Sequence, residues 1–458
     1  MILIYTYKIT KRNKYVFNLI FKDVLGVDFQ LTTDEASFIN HKGAKLSYTN
    51  TPLCDELFFN SRNLLFETGI NEQNISVFDF EGNKIFYATE KSSSLPFDVF
   101  AASFYLITRY EEYLPHIRDA HNRFAAEESL AFKNGFLQKP VVNTWIIWVK
   151  ELIIKKYPEV VFKEKKYEFV STIDIDNAYA YREKGFTRSL GGYLKSALNF
   201  DFAEIAERTR VLLGIQKDPY DTYDFQLEII KKYKLKNIYF FLLGDYGVND
   251  KNLPIESRKF QSLIKMLSDY SQIAIHPSYG SNTSKEQLKK EVNRLSKVVH
   301  CEITKSRQHF LKLTLPETYR NLIDLDITDD YTMGYASQIG FRASFCNQFN
   351  FYDLDMELET KLKIHPFAVM EGTLKYYMKI QREDAMQKIK PLIDEARAVN
   401  GCFISLWHND TLSNQKTWLG WHAIYEEMVK YAMEPSSQGI PEIIKPIKPM
   451  PANWLANA

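Results

Sequence analysis

The sequence predicts an α/β protein in two parts. Residues 1–165 form a smaller α/β unit, and residues 166–458 set strands alternating with helices around a parallel sheet or barrel. Three observations lead there. From Tyr167 onward, short apolar runs alternate with amphipathic helical segments, the pattern of βα units. Asn237-Ile-Tyr-Phe-Phe-Leu-Leu243 is a continuous apolar run, as expected of a strand buried on both faces. Strand-like runs also end repeatedly in titratable residues: Asp174 and Asp176, His276, Arg307 and His309, and His408. In βα barrels that end of the strands is where chemistry collects.

In the first unit, Met1–Tyr7 reads as a strand, Asn13–Phe21 as a helix and Asp28–Thr33 as a second strand. Ala44–Tyr48, Leu57–Phe59 and Ser76–Phe80 are shorter strand candidates. Asp98 opens a helix whose apolar residues Phe100, Phe104, Ile107 and Tyr110 recur at helical spacing, and Pro115 stops it. The Arg109, Glu111 and Glu112 cluster at its end reads as an ion-pair network before it reads as a site. A further helix runs from Pro140 through Trp145 and Trp148 to before Pro158. The polar stretch Lys163-Glu-Lys-Lys166 is the linker between the units.

The second unit opens with Tyr167–Asp176. Alternation along a strand puts Thr172, Asp174 and Asp176 on one face and Ile173 and Ile175 on the other. Two carboxylates on one face repel, and a metal ion, a cation or a shared proton would relieve them. Residues 180–225 read as an insertion rich in Arg, Lys, Tyr and Phe. Helix Tyr223–Lys232, strand Asn237–Leu243, helix Ser257–Ser271 and strand Gln272–His276 follow. Then come an amphipathic helix over Ser284–Val299, a strand region over Ile303–His309 and a short helix from Pro316. Tyr335–Arg342 enters another strand. A long helix over Arg382–Asn400 is closed by Gly401, and Cys402–His408 is the last strand.

Composition narrows the function. Fifty-eight basic residues against 57 acidic ones give a net charge of +1, which offers no nucleic-acid footprint. Four widely spaced cysteines with no Cys-x-x-Cys pair argue against a zinc knuckle and for a reducing compartment. The N-terminus lacks a signal-peptide pattern and no apolar run reaches about 18 residues, so the expectation is a cytoplasmic protein without a membrane span.

In order, Thr172-Ile-Asp-Ile-Asp176, Asn237-Ile-Tyr-Phe-Phe241, His276-Pro-Ser-Tyr-Gly280, Arg307-Gln-His-Phe310 and Leu406-Trp-His408 resemble the motifs of the polysaccharide deacetylase family (carbohydrate esterase family four). Tyr335–Arg342 resembles that family's Gly-Phe-Arg stretch. The resemblance covers about 170–425 and implies a distorted (β/α) barrel that removes acetyl groups from a sugar or polysaccharide. It implies Asp174 as general base with Arg307 beside it, and His408 as the acid protonating the leaving amine. Asp176 and His276 would hold a divalent metal, zinc before iron, cobalt, nickel or manganese. The chain departs from the family in having Asp-x-Asp for Asp-Asp, Gly280 for the second motif histidine and His309 for the motif proline. His309 is then the candidate third ligand. Tyr279, Trp407 and Arg342 are candidate substrate contacts, with Trp418 a further ring for stacking on a sugar. Two other readings use the same residues: a carbohydrate-binding relative without turnover, and a metal-free hydrolase of small amides. The expected partner is an acetylated carbohydrate.

Overall fold

The computed structural model describes residues 1–434. Residues 435–458, which the sequence reading assigns to the second unit, lie outside the described residues. The chain builds two parallel sheets. The first has strands β1 (Ile2–Thr6), β2 (Phe29–Thr32), β3 (Lys45–Thr49) and β4 (Leu57–Asn60) in the order β2-β1-β3-β4. The helix Lys11–Phe17 follows β1, and Thr10 caps it by accepting from the Asn13 amide. The helix Val99–Ile107 is opened by buried Asp98, which accepts from the amides of Phe100 and Ala101. A hairpin of β5 (Val77–Phe80) and β6 (Asn83–Phe86) and the helix Val141–Lys156 complete this half.

The second sheet contains β7 (Glu168–Ile175), β8 (Lys236–Leu242), β9 (Gln272–His276), β10 (Lys305–Ser306), β11 (Asp329–Asp330), β12 (Phe349–Asp353), β13 (Leu358–Ile364), β14 (Val369–Met370) and β15 (Cys402–His408). Its order is β12-β13-β11-β10-β9-β8-β7-β15-β14, parallel throughout except for the β12–β13 pair. The distorted (β/α) barrel expected from the sequence is therefore corrected to an open, mostly parallel sheet with no closed barrel among the described residues. Two features account for it. Strands β10, β11 and β14 are two residues long, too short to carry a ladder around. The chain then turns back as the antiparallel β12–β13 pair instead of continuing the βα pattern.

The first half occupies the end of the sheet that a closed barrel would seal. Tyr15 Oη donates to the Asn350 carbonyl of β12 at 2.7 Å, and the Arg12 guanidinium pairs with Glu357. Gly340 lies so close to the Leu137 carbonyl that an added Cβ would come within 2.4 Å, and its φ of +129° suits only glycine. One apolar core runs from Ile2 to Ala432 through both sheets, and covering the β12 side keeps that edge from pairing with another chain. Among the described residues, no helix is long and apolar enough to cross a membrane.

Buried charge ties the halves together as well. Arg109 Nε donates to Glu112 at 2.7 Å and its Nη1 to the Arg342 carbonyl at 2.5 Å, while Arg342 Nη2 donates to Glu112 at 2.6 Å. Burial pushes the Glu112 carboxyl up, but Arg342 and Arg109 outweigh it and hold it at about 2. Arg342, expected to touch substrate, is thus corrected to an internal tie, 2% exposed. Glu112→Ala would leave the buried Arg342 guanidinium without its carboxylate and Arg109 with Glu111 alone. Urea unfolding is expected to show a loss of about 3–5 kcal/mol, and a variant as stable as the parent would refute this role.

Candidate functional site

Strand register assembles the site. On β7, Thr172 and Asp174 share a face, while Ile173 and Ile175 lie in the core on the other. Asp174 stands opposite His408 of β15, and the end of β8 pairs Leu242 with His276 of β9. Asp176 follows β7, and Arg307 and His309 follow β10. The neighbouring C-terminal strand ends therefore bring together Asp174, Asp176, His276, Arg307, His309 and His408. Beneath them lies a small apolar cluster that includes Ile238, Phe240, Ala274, Ile404 and Leu406.

Asp176 is the hub. Its carboxylate lies 3.3 Å from His276 Nε2, 3.4 Å from His309 Nε2 and 3.9 Å from His408 Nε2. The opposite nitrogen of each ring is engaged. His276 Nδ1 meets the Arg307 carbonyl at 2.6 Å, His309 Nδ1 meets Asp250 at 2.9 Å, and His408 Nδ1 meets Glu371 at 2.7 Å. A carbonyl or carboxylate only accepts, so each Nδ1 carries a proton and each Nε2 is turned to the hub. Burial pushes the Asp176 carboxyl up, but His309, His276 and His408 outweigh it and hold it well below the usual carboxylate range. Burial lowers His309, yet Asp176 and Asp250 raise it to about 9. His408 is also pushed down by burial and carried well above its ordinary value by Glu371, Asp176 and Asp174.

Asp174 is built differently. It is 1% exposed, and Arg307 Nη1 donates to its Oδ1 at 2.8 Å. Arg307 Nε is spent on the Tyr331 carbonyl, and the guanidinium lies 4.4 Å from the Phe240 ring centre. Oδ2 of Asp174 faces His276 Nε2 at 3.7 Å. Asp174, Asp176, His276, His309 and His408 line a cleft of about 300 Å³, whose wall also includes Tyr376, Tyr377 and Trp418.

Asp176, His276 and His309 each offer an atom within 4.8 Å of the others, a group able to hold a metal ion. Buried Asp176 Oδ1 has no hydrogen-bond partner, and an orphaned acceptor beside two outward-turned Nε2 atoms suits a divalent cation. His309 thus stands where the motif position at Gly280 offers no side chain.

Two expected contacts fall elsewhere. Trp407 is corrected to a core residue, 1% exposed against Trp421 and Tyr425, because it alternates away from His408 along β15. Tyr279 lies behind the cleft wall, its ring against Phe310 and His121 and its amide on Asp250. Neither Asp250 nor Glu371 is singled out in the sequence analysis. Glu371 is fully buried. The apolar pair of β14 before it was the signal, too short to be read as a strand. Asp250 lies in a loop with no periodic pattern.

Residues 2–158 match DUF7033, a family of unknown function. No curated protein matches the chain. Among solved structures, the chain is similar to a presumed polysaccharide deacetylase from Mycobacterium smegmatis at 12% identity and a TM-score of 0.38, covering 59% of this chain and 85% of that one. It is similar to a 4-alpha-glucanotransferase from Thermococcus litoralis at 11% and 0.36, over 60% of this chain and 39% of that one. It is also similar to a CE4 family pseudoenzyme from Bacillus anthracis at 12% and 0.27, over 58% of this chain and 60% of that one. At such scores the chemistry rests on the side chains themselves.

The cluster is expected to retain a divalent ion after incubation with zinc, cobalt or nickel and desalting, as read by metal analysis. Asp250→Asn, which removes the carboxylate from His309 Nδ1, should weaken that binding by about 10–100-fold. A wild-type chain that stays metal-free with all three ions would sink the assignment.

Proposed function

We propose that the chain is a hydrolase that removes acetyl groups, N-linked before O-linked, from a sugar or polysaccharide. One observation carries the reading: a base-like carboxylate, a cationic histidine and a metal-competent triad converge on one cleft. Hydrolysis of an acetamide needs an activated water, a stabilised carbonyl oxygen and a proton for the leaving amine. A divalent ion held by Asp176, His276 and His309, zinc in the first instance, would polarise the acyl oxygen and acidify water.

The remaining work falls to the chain's own groups. Arg307 occupies Oδ1 of Asp174 and leaves Oδ2 to take the proton from water. His408, carried well above its usual value, holds the proton that the amine requires. Glu371 anchors its Nδ1 and also accepts from the His408 amide at 3.1 Å, which fixes the direction in which Nε2 points. Tyr376, Tyr377 and Trp418 in the cleft wall supply faces on which a sugar ring can stack. Tyr279 acts from behind the wall by setting Phe310. Four free cysteines fit a reducing compartment, and the reading places the chain in the cytoplasm.

The assay is acetate release from a panel of acetylated mono- and oligosaccharides with each metal added. Asp174→Asn keeps the shape but cannot accept the proton, and turnover should fall on the order of 10²–10⁴-fold. His408→Ala should lower kcat more than it raises KM, since the proton is needed in the transition state. If both variants match the wild type wherever turnover occurs, these are not the catalytic pair. Tight binding of a panel sugar without release of acetate would favour a binding module instead.

A further inference from the structure

The insertion at residues 180–225 folds as a helical hairpin, Gly185–Leu198 followed by Phe202–Leu212. Its polarity is inverted. The face turned inward is polar: Tyr193 Oη bonds Thr209 Oγ1 at 2.9 Å, and Ser196, Glu207 and Arg208 are buried. Gly192 allows this close approach, since an added Cβ would come within 2.3 Å of the Arg208 guanidinium. The face turned to solvent is apolar. Phe186, Leu190, Leu194 and Leu198 recur every fourth residue along the first helix, and Phe200 and Phe202 cap the tip. Phe186, Leu198 and Phe200 are 80, 79 and 79% exposed. A water-soluble surface rarely presents so continuous an apolar patch without something to cover it.

We propose that this hairpin docks the protein on an anionic membrane surface. Charge selects that occupant. Lys195 of the first helix and Arg210 of the second are exposed, with Asp201 the acidic residue at the tip. Phe and Leu on one face with basic groups alongside is the composition of a helix lying in the headgroup region. The hairpin also borders the cleft. Arg188 donates to the Lys251 and Asn252 carbonyls, next to Asp250 behind His309. Glu207 pairs with Lys416 at 2.8 Å, two residues from Trp418 of the cleft wall. Docking would therefore bring the cleft mouth to the lipid surface.

The test is sedimentation of the full chain with vesicles of phosphatidylcholine alone or mixed with phosphatidylglycerol, at low and high salt. The wild type should pellet with the anionic vesicles and less so at high salt. The triple variant Phe186→Ser, Leu194→Ser, Phe200→Ser should stay in the supernatant with an unchanged circular-dichroism melt. Lys195→Glu should weaken binding to anionic vesicles by roughly five-fold and leave binding to neutral ones unchanged. A wild type that never pellets, or a triple variant that pellets equally, would overturn the proposal. So would a vesicle-indifferent dimer that the triple variant dissociates, which would make the face a contact between copies.

Discussion

Two carboxylates at the end of one strand set the terms for the rest of the site. Asp174 and Asp176 are two residues apart and face the same way, so each raises the cost of charging the other. The fold answers with a different cation for each. Asp174 receives a guanidinium held over Phe240, and Asp176 receives a ring of imidazoles. Each answer creates a further demand. Arg307 needs the Tyr331 carbonyl, His309 needs Asp250 and His408 needs Glu371. The charge pattern therefore spreads outward through β10, β14 and the loop after β8, and buried groups far from the cleft are explained by it. Breaking any single link leaves a charge without its counterpart in a poorly solvated place.

His309 comes at a conformational cost. The next two residues, Phe310 and Leu311, have φ of 59° and 52°, values that bulky residues avoid. Each such residue costs on the order of 1–3 kcal/mol, and such strain clusters at functional sites. The turn carries the Phe310 ring back against His309 and Tyr279. A histidine arriving from β10 has to leave the strand direction at once if its ring is to face Asp176, and the left-handed pair makes that change of direction.

Much of this was legible because strand alternation is a strict rule. It put Asp174 and Asp176 on one face, and the recurrence of titratable residues at strand ends put His276 and His408 beside them. Applied fully, alternation would also have turned Trp407 away from the cleft, since Trp407 neighbours His408. Arg342 was misread for another reason: its partner Glu112 lies 230 residues earlier, and no local pattern reports so distant a pairing. Glu371 and the open sheet escaped for a shared reason. Strands of two residues leave no periodicity, so neither β14 nor the failure of closure beyond β11 has a sequence signature. The inverted hairpin is visible in sequence only as an apolar repeat of four, which by itself says nothing about which side faces the protein.

The pairing of Arg12 with Glu357 bears on how the chain is made. Arg12 is 1% exposed and bonds the Leu64 carbonyl within its own half, but its carboxylate partner lies 345 residues downstream. At synthesis rates of about 5–20 residues per second, Glu357 follows Arg12 by roughly 20–70 s. The first sheet is complete in sequence long before then, yet closing its core early would strand a guanidinium without a counter-charge. The nascent N-terminal half thus has a reason to stay loosely closed until the β12–β13 hairpin emerges.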